Sequence, residues 1–179
     1  MQEVATLGGG CFWCLEAPYR ETQGVISAVS GYMGGARPDP SYEAVCTGTT
    51  GHVEVVQVTF DPEVISFHEI LEIFFVLHDP TTLNRQGNDR GTQYRSVIFY
   101  HTPEQQAAAE EFIADLMARK VFRDRIVTGV EAAREFWVAE NYHQDYLANN
   151  PNQSYCMFVV APKLEKFRKT FAARRKTGY

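Results

Sequence analysis

Val53-Glu54-Val55-Val56-Gln57-Val58-Thr59-Phe60, closed by Asp61-Pro62 and followed by Ser66-Phe67-His68-Glu69, decides the fold class. The first eight residues are rich in β-branched side chains and end at a turn pair, which predicts a strand. Ser66 and Glu69 have the spacing of a capping box. It opens a helix to about His78 with Ile70, Leu71, Phe74 and Phe75 on one side. Working outward, residues 4–7 form a short strand that runs into Gly8-Gly9-Gly10 and then the helix start at Cys11-Phe12-Trp13-Cys14-Leu15-Glu16. Residues 25–30 are a second strand, ended by Gly31, Gly34 and Gly35, and residues 96–100 are another. Thr102-Pro103-Glu104-Gln105 repeats the capping-box signature with Pro at the first helical position, and its helix runs to about Lys120. Residues 126–131 and 157–161 are predicted strands, and 163–174 a last helix. Strands and helices interleave without strict alternation. The expected class is α+β, with helices packed on a mixed or antiparallel sheet. Residues 79–95 are polar, Gly-bearing and aperiodic, and a loop of that length is more often functional than idle.

A chain of 179 residues suits one domain, here 1–179. Its 45% hydrophobic and 22% charged residues exclude intrinsic disorder. A net charge of −5 argues against an overall basic nucleic-acid binder. No stretch approaches the ~18 apolar residues of a transmembrane helix, and Met1-Gln2-Glu3-Val4 lacks signal-peptide character. The expectation is a soluble, cytoplasmic protein with neither membrane nor nucleic acid as partner. Charge is uneven at one end: Lys163, Lys166, Arg168, Lys169, Arg174, Arg175 and Lys176 face only Glu165 within residues 163–179. Such a segment is a solvated helix face with a frayed terminus, or a contact for an acidic partner.

The four cysteines are too few and too unevenly placed for a disulfide scaffold. Cys11 follows the glycine turn at a helix start, where unpaired N–H groups and the helix dipole favour the thiolate. A thiolate is the nucleophilic, redox-active form of cysteine. Phe12 and Trp13 beside it could wall an apolar pocket for a small methyl-bearing group, or could simply be core. Glu54 shares a strand face with Val56, Val58 and Phe60, where ionisation is costly. That would make it a proton donor near neutral pH, unless it lies at a wet strand end or pairs with an arginine.

Several motifs then resemble one family. Gly10-Cys11-Phe12-Trp13 with Glu16, Ser30-Gly31-Tyr32 with Gly34-Gly35, and Ser41-Tyr42-Glu43 with Cys46 carry the likeness. It continues through Thr50-Gly51-His52-Val53-Glu54, Gln86-Gly87-Asn88-Asp89, Gly91-Thr92-Gln93-Tyr94-Arg95-Ser96 and His143-Gln144-Asp145-Tyr146-Leu147. In this order, over roughly residues 5–160, the chain resembles peptide-methionine (S)-S-oxide reductases. The resemblance implies a two-layer α+β sandwich with a ferredoxin-like core. It implies that Cys11 attacks the sulfoxide sulfur, that Phe12 and Trp13 cage the S-methyl group, and that Glu54 protonates the sulfoxide oxygen. Tyr42 and Tyr94 would hydrogen-bond that oxygen, and Asp89 would help through bound water. Cys11 would become a sulfenic acid as methionine leaves. Free or protein-bound methionine sulfoxide would be the substrate of a monomer with no metal or bound cofactor and thioredoxin as external reductant.

Regeneration departs from familiar members, many of which have Gly where Cys14 stands and a Gly-rich tail carrying recycling cysteines. Cys156 matches the tail cysteine of the Tyr-Cys motif, but an apolar strand, Phe158-Val159-Val160, and a basic helix are expected after it. Cys14 and Cys156 are both candidates to resolve the sulfenic acid, with Cys156 slightly preferred. Residues i and i+3 on a regular helix hold their Cβ atoms ~5–6 Å apart, and a disulfide wants ~3.5–4.5 Å. Cys46 reads as structural. Two rival readings stand: a thioredoxin-like disulfide oxidoreductase using Cys11-Phe12-Trp13-Cys14, and a metal-binding module using Cys11, Cys14, Cys46 and His52, which lacks a second paired knuckle.

Overall fold

Strand β1 (Glu3–Gly8), helix α1 (Phe12–Arg20), strands β2 (Val25–Met33) and β3 (Val53–Phe60), helix α3 (Phe67–Leu77) and strand β6 (Val97–Tyr100) give the frame of the computed structural model, which describes residues 1–177. The last two residues of the predicted domain, 178 and 179, lie outside the described residues. A short helix α2 (Tyr42–Cys46) lies between β2 and β3, and a small hairpin of β4 (Arg85–Gln86) and β5 (Asp89–Arg90) precedes β6. Neighbours in the sheet run β6-β1-β3-β2, each pairing antiparallel. That βαββαβ order with the first and third strands central is the ferredoxin-like arrangement expected from the motifs. Strand β7 (Gly129–Ala132) joins β6 in parallel at one edge, and β8 (Trp137–Val138) joins β2 antiparallel at the other. The sheet is therefore mixed.

One face of β3 decides what the helices cover. Val56, Val58 and Phe60 are buried against Leu15 and Tyr19 of α1 and Ile70, Leu71 and Phe74 of α3 in the main core. The opposite face begins apolar, with Val53 and Val55 packed on Met33, Val97 and Phe99 under Phe136. It then turns half-exposed at Gln57 and Thr59. Helix α3 starts as its sequence requires: Ser66 accepts from the Glu69 amide at 3.1 Å, and Glu69 accepts from the Ser66 amide at 3.2 Å. Helix α4 (Pro103–Ala118) starts on Thr102 with Pro103 in its first turn.

Three expectations about the strands change. Strand β2 continues past Ser30 through Gly31 to Met33, because Gly31 pairs with Val55. The Phe136 ring and the Trp137 carbonyl occupy the space a Cβ would need there. Glycine at 31 thus permits close approach and does not end the strand. The strand predicted at 126–131 forms at Gly129–Ala132.

The strand predicted at 157–161 does not form. Cys156–Val160 is a π-helical turn leading into helix α6 (Ala161–Thr170), with Cys156 and Val160 buried and Met157 and Phe158 exposed. Burial every fourth residue is a helical period, so packing overrides the β-propensity of Phe158-Val159-Val160.

Within the described residues the basic end is tied down through its arginines, while Lys166 and Lys169 stay exposed. Arg168 makes two hydrogen bonds to the buried Glu21 carboxylate, at 3.0 and 2.9 Å, and Arg175 adds a third at 3.2 Å. Arg174 pairs with Glu69 at 3.3 Å and Glu72 at 3.5 Å. The Gln23 amide donates to the Arg174 carbonyl, and the Lys176 amide to the Glu21 carbonyl, each at 2.7 Å. The three arginines are used internally to hold α6 on the core.

Candidate active site

Gly10 takes φ +92°, a conformation open to glycine, and this turns the chain from β1 into α1. Cys11 is then the N-cap of α1 with extended backbone (φ −61°, ψ 128°), and Cys14 is the third helical residue. Because Cys11 lies outside the helix, the i, i+3 separation of a regular helix does not apply. The two thiols are within hydrogen-bonding reach of one another. Burial, the bond to Cys14 and the Glu54 charge hold the Cys11 thiol well above its ordinary range. Burial thus outweighs the helix terminus expected to favour its thiolate. The Cys14 thiol moves the other way, lowered first by the hydrogen bond from Cys11 and also by the Lys163 ammonium.

Glu54 lies opposite Tyr32 in the sheet and points to the helix-covered face. It is 1% exposed. The Phe12 amide donates to its Oε1 at 3.2 Å, and its Oε2 has no protein partner. Burial pushes this carboxyl up to about 8, with the Asp89 and Cys14 charges adding and the Phe12 amide opposing. No arginine neutralises it, and it carries a proton at neutral pH. The Tyr42 and Tyr94 phenols are both raised by burial and then by the Glu54 charge, which places them around the same carboxyl. Tyr42 opens α2 behind the Ser41 cap, its amide donating to Glu140 at 2.9 Å. Tyr94 closes the 3-10 turn Thr92–Tyr94 in the long polar loop.

Phe12 is fully buried, its ring centroid 5.7 Å from Tyr32 and 5.1 Å from His143. Trp13 is half-buried and lies flat on Tyr146 at 3.8 Å, with Tyr155 edge-on at 5.8 Å. Its indole N–H donates to His143 Nδ1 at 3.2 Å. His143, Tyr146 and Tyr155 were not singled out from sequence as site residues, although two of them lie in the His143–Leu147 motif. What fixes them is Gln144, which accepts from the Ser30 amide at 3.0 Å and donates to the Ser30 carbonyl at 2.9 Å. The neighbouring Asp145 amide donates to buried Glu16 at 2.6 Å. Asp89 begins β5 and accepts from the Tyr155 hydroxyl, so the loop hairpin and the Trp13 wall meet there.

A cavity of about 720 Å³ opens beside Cys11, lined also by Asp89, Tyr155, Lys163 and Lys166. Of the predicted site residues Cys11 and Asp89 line this cavity, whereas Phe12, Trp13, Glu54, Tyr42 and Tyr94 are not among its lining residues and gather around the Glu54 carboxyl and the His143 ring. Of the remaining cysteines, Cys156 is buried and feels the Cys14 charge, whereas Cys46 is exposed with its thiol bonded by Tyr42. All four are free thiols. His52 is committed elsewhere, accepting from the Gly35 amide at 3.1 Å and lying 2.6 Å from the Arg37 carbonyl. Among the described residues no three His, Cys, Asp or Glu are grouped to hold a metal ion, and no helix is long and apolar enough to cross a membrane.

Comparison with known proteins agrees with this geometry. A relative from Polynucleobacter asymbioticus, the peptide methionine sulfoxide reductase MsrA, is 61% identical over 169 residues, covering 94% of this chain and 89% of its own. The crystal structure of reduced Mxr1 from Saccharomyces cerevisiae superposes with a TM-score of 0.81 at 36% identity, over 87% of this chain and 89% of that one. A second structure, Mxr1 in complex with Trx2, shares the fold with a TM-score of 0.57 at 24% identity, over 81% and 84%. The family model described as peptide methionine sulfoxide reductase matches residues 3–175. On these grounds the chain belongs to the peptide methionine sulfoxide reductase family, and it is an oxidoreductase.

Proposed function

We propose that residues 1–179 act as one reductase domain that removes oxygen from methionine (S)-S-oxide, free or in proteins, with Cys11 as nucleophile and Glu54 as acid. The observation that carries this assignment is a buried carboxyl held by the amide of the residue next to Cys11, with its second oxygen unpartnered. The Cys11 thiol attacks the sulfoxide sulfur while Glu54 gives its proton to the oxygen, and the proton that Cys11 loses restores the Glu54 carboxyl. The substrate S–O bond breaks, the oxygen passes to Cys11 as a sulfenic acid, and methionine departs. Tyr42 and Tyr94 steady the oxygen, and Asp89, anchored by Tyr155, orders water beside it. Phe12 and Trp13 give the methyl group an apolar wall, a surface that stacking on Tyr146 keeps flat.

Cys14 resolves the sulfenic acid. Its thiol already lies within hydrogen-bonding reach of Cys11, and it sits in the first turn of α1, where negative charge is favoured. Cys156 lies within reach of the Cys14 charge and is buried, which suits it to act behind Cys14. A dithiol of the thioredoxin class then reduces the disulfide by exchange, as suits a reducing, cytoplasmic setting. No bound cofactor enters the cycle.

The test uses separated S and R sulfoxides with thioredoxin or dithiothreitol. Activity on S alone, lost in Cys11→Ser, is the expected result, and equal turnover of both epimers overturns it. Cys14→Ser is expected to stop thioredoxin-dependent turnover more fully than Cys156→Ser.

A further inference from the structure

Helix α6 brings positive charge to the cavity beside Cys11. Val159, Lys163 and Lys166 follow one another at spacings of four and three, the period of a single helix face, and all line the cavity that opens on Cys11. Lys163 makes no ion pair among the described residues, in contrast to Arg168, Arg174 and Arg175 around it. Phe122 and Tyr155 close other sides of the same cavity. An ammonium brought there by a folded helix, and left without a carboxylate partner, is free to answer negative charge inside the cavity.

We propose that Lys163 is a positioning residue for the resolving step, its ammonium supporting the negative charge on the Cys14 sulfur as Cys14 attacks the Cys11 sulfenic acid. The inference rests on the reading of Cys14 as the resolving cysteine. In that step the Cys14 thiolate supplies an electron pair to form the S–S bond, and the Cys11 S–O bond breaks. Hydroxide leaves and takes up the proton that Cys14 had earlier released to solvent, giving water. The groups facing Cys14 are Cys11, Asp89, Tyr155, Glu54 and Cys156, and Lys163 is the cation among them. The negative charges of Asp89 and of Glu54 when ionised oppose the thiolate, so losing Lys163 removes the ammonium that offsets them and leaves the Tyr155 hydrogen bond as the remaining support.

Two rates separate the roles in the full-length enzyme: release of the first methionine without reductant, and formation of the Cys11–Cys14 disulfide followed by mass spectrometry. In Lys163→Met the burst should keep its rate and amplitude while disulfide formation slows roughly tenfold near pH 7, because less of Cys14 is ionised without the ammonium. The defect should shrink as pH rises and Cys14 ionises unaided, and Lys163→Arg should restore most of the rate. Wild-type disulfide formation in Lys163→Met at pH 7, or a loss unchanged with pH and not rescued by Arg, overturns the proposal. Cys14→Ser separates the two layers. If it still forms an intramolecular disulfide at the wild-type rate, the reading of Cys14 fails and the inference with it. If only Lys163→Met behaves as wild type, the inference alone fails.

Discussion

The Phe12 amide donates to Glu54 Oε1 at 3.2 Å, tying the first residue of α1 to the second residue of β3. Cys11 and Glu54 are brought together by a helix start meeting a strand end, through elements far apart in sequence. Each disfavours charge on the other, since the Glu54 charge raises the Cys11 thiol. Holding Glu54 neutral therefore supplies a proton for the sulfoxide and removes a repulsion from the nucleophile.

Glu54→Gln keeps an oxygen to accept from Phe12 and loses the transferable proton. Removal of a general acid is expected to slow the single-turnover burst of methionine release by ~10²–10⁴-fold. The substrate affinity of the variant should change little. A burst within a few-fold of wild type would remove Glu54 from the proton-donor role.

The pH dependence follows with a definite sign. A carboxyl at about 8 is protonated below that value, so the burst should hold level near neutrality and fall as pH rises through about 8. Stability moves the same way. The ordinary value is 4.5, so between 4.5 and about 8 the native state binds a proton that the unfolded chain has released. Stability contributed by this site is thus lost as pH rises through that window. Buried His78, depressed from 6.5 to about 4, acts oppositely below neutrality, because there the unfolded chain binds the extra proton. Urea midpoints measured from pH 7 to 9 should therefore fall for wild type and stay flatter for Glu54→Gln. Parallel curves would contradict the assignment.

Much of this was legible in the chain because local signals agreed with packing. The alternation of β3 placed Glu54 on the apolar face, and the Ser66–Glu69 box placed α3. The Gly-Gly-Gly-Cys turn placed the nucleophile at a helix start. What failed depended on long-range partners. The Cys156–Val160 segment has strand-like residues, but its period is set by the core beneath it. The arginines of the basic end find Glu21, Glu69 and Glu72, acids distant in sequence that no local pattern pairs with them. The proximity of Cys14 to Cys11 turned on one backbone angle, the extended ψ of the N-cap. Tyr155 and Tyr146 reach Trp13 only through the clamp of Gln144 on Ser30 and the bond to Asp89.

The Trp13 wall makes a specificity prediction. Tyr146→Ala removes a parallel ring at 3.8 Å while leaving the His143 acceptor in place. Such a stack contributes about 0.5–1.5 kcal/mol, so KM for methionine sulfoxide should rise ~2–10-fold with kcat nearly unchanged. Trp13→Ala should raise it further. An unchanged KM in both variants would show that the indole is core and not a substrate wall.

The last prediction joins stability to recycling. Glu21 is a buried carboxylate with Arg168 and Arg175 on its two oxygens, and Glu21→Gln removes that charge from both guanidiniums, Arg168 keeping Glu165 at 3.0 Å. Removing one partner of a buried pair costs about 3–5 kcal/mol, and the partly exposed arginines bring the expected loss to about 2–3 kcal/mol. The same bonds hold α6, which carries Lys163 into the cavity, whereas Cys11 and Glu54 are held by β1, β3 and α1. Glu21→Gln should therefore unfold at lower urea, and at low temperature it should retain the methionine burst while forming the recycling disulfide more slowly. A variant that loses both rates in proportion would show that the basic end stabilises the whole fold without a separate hold on the resolving step.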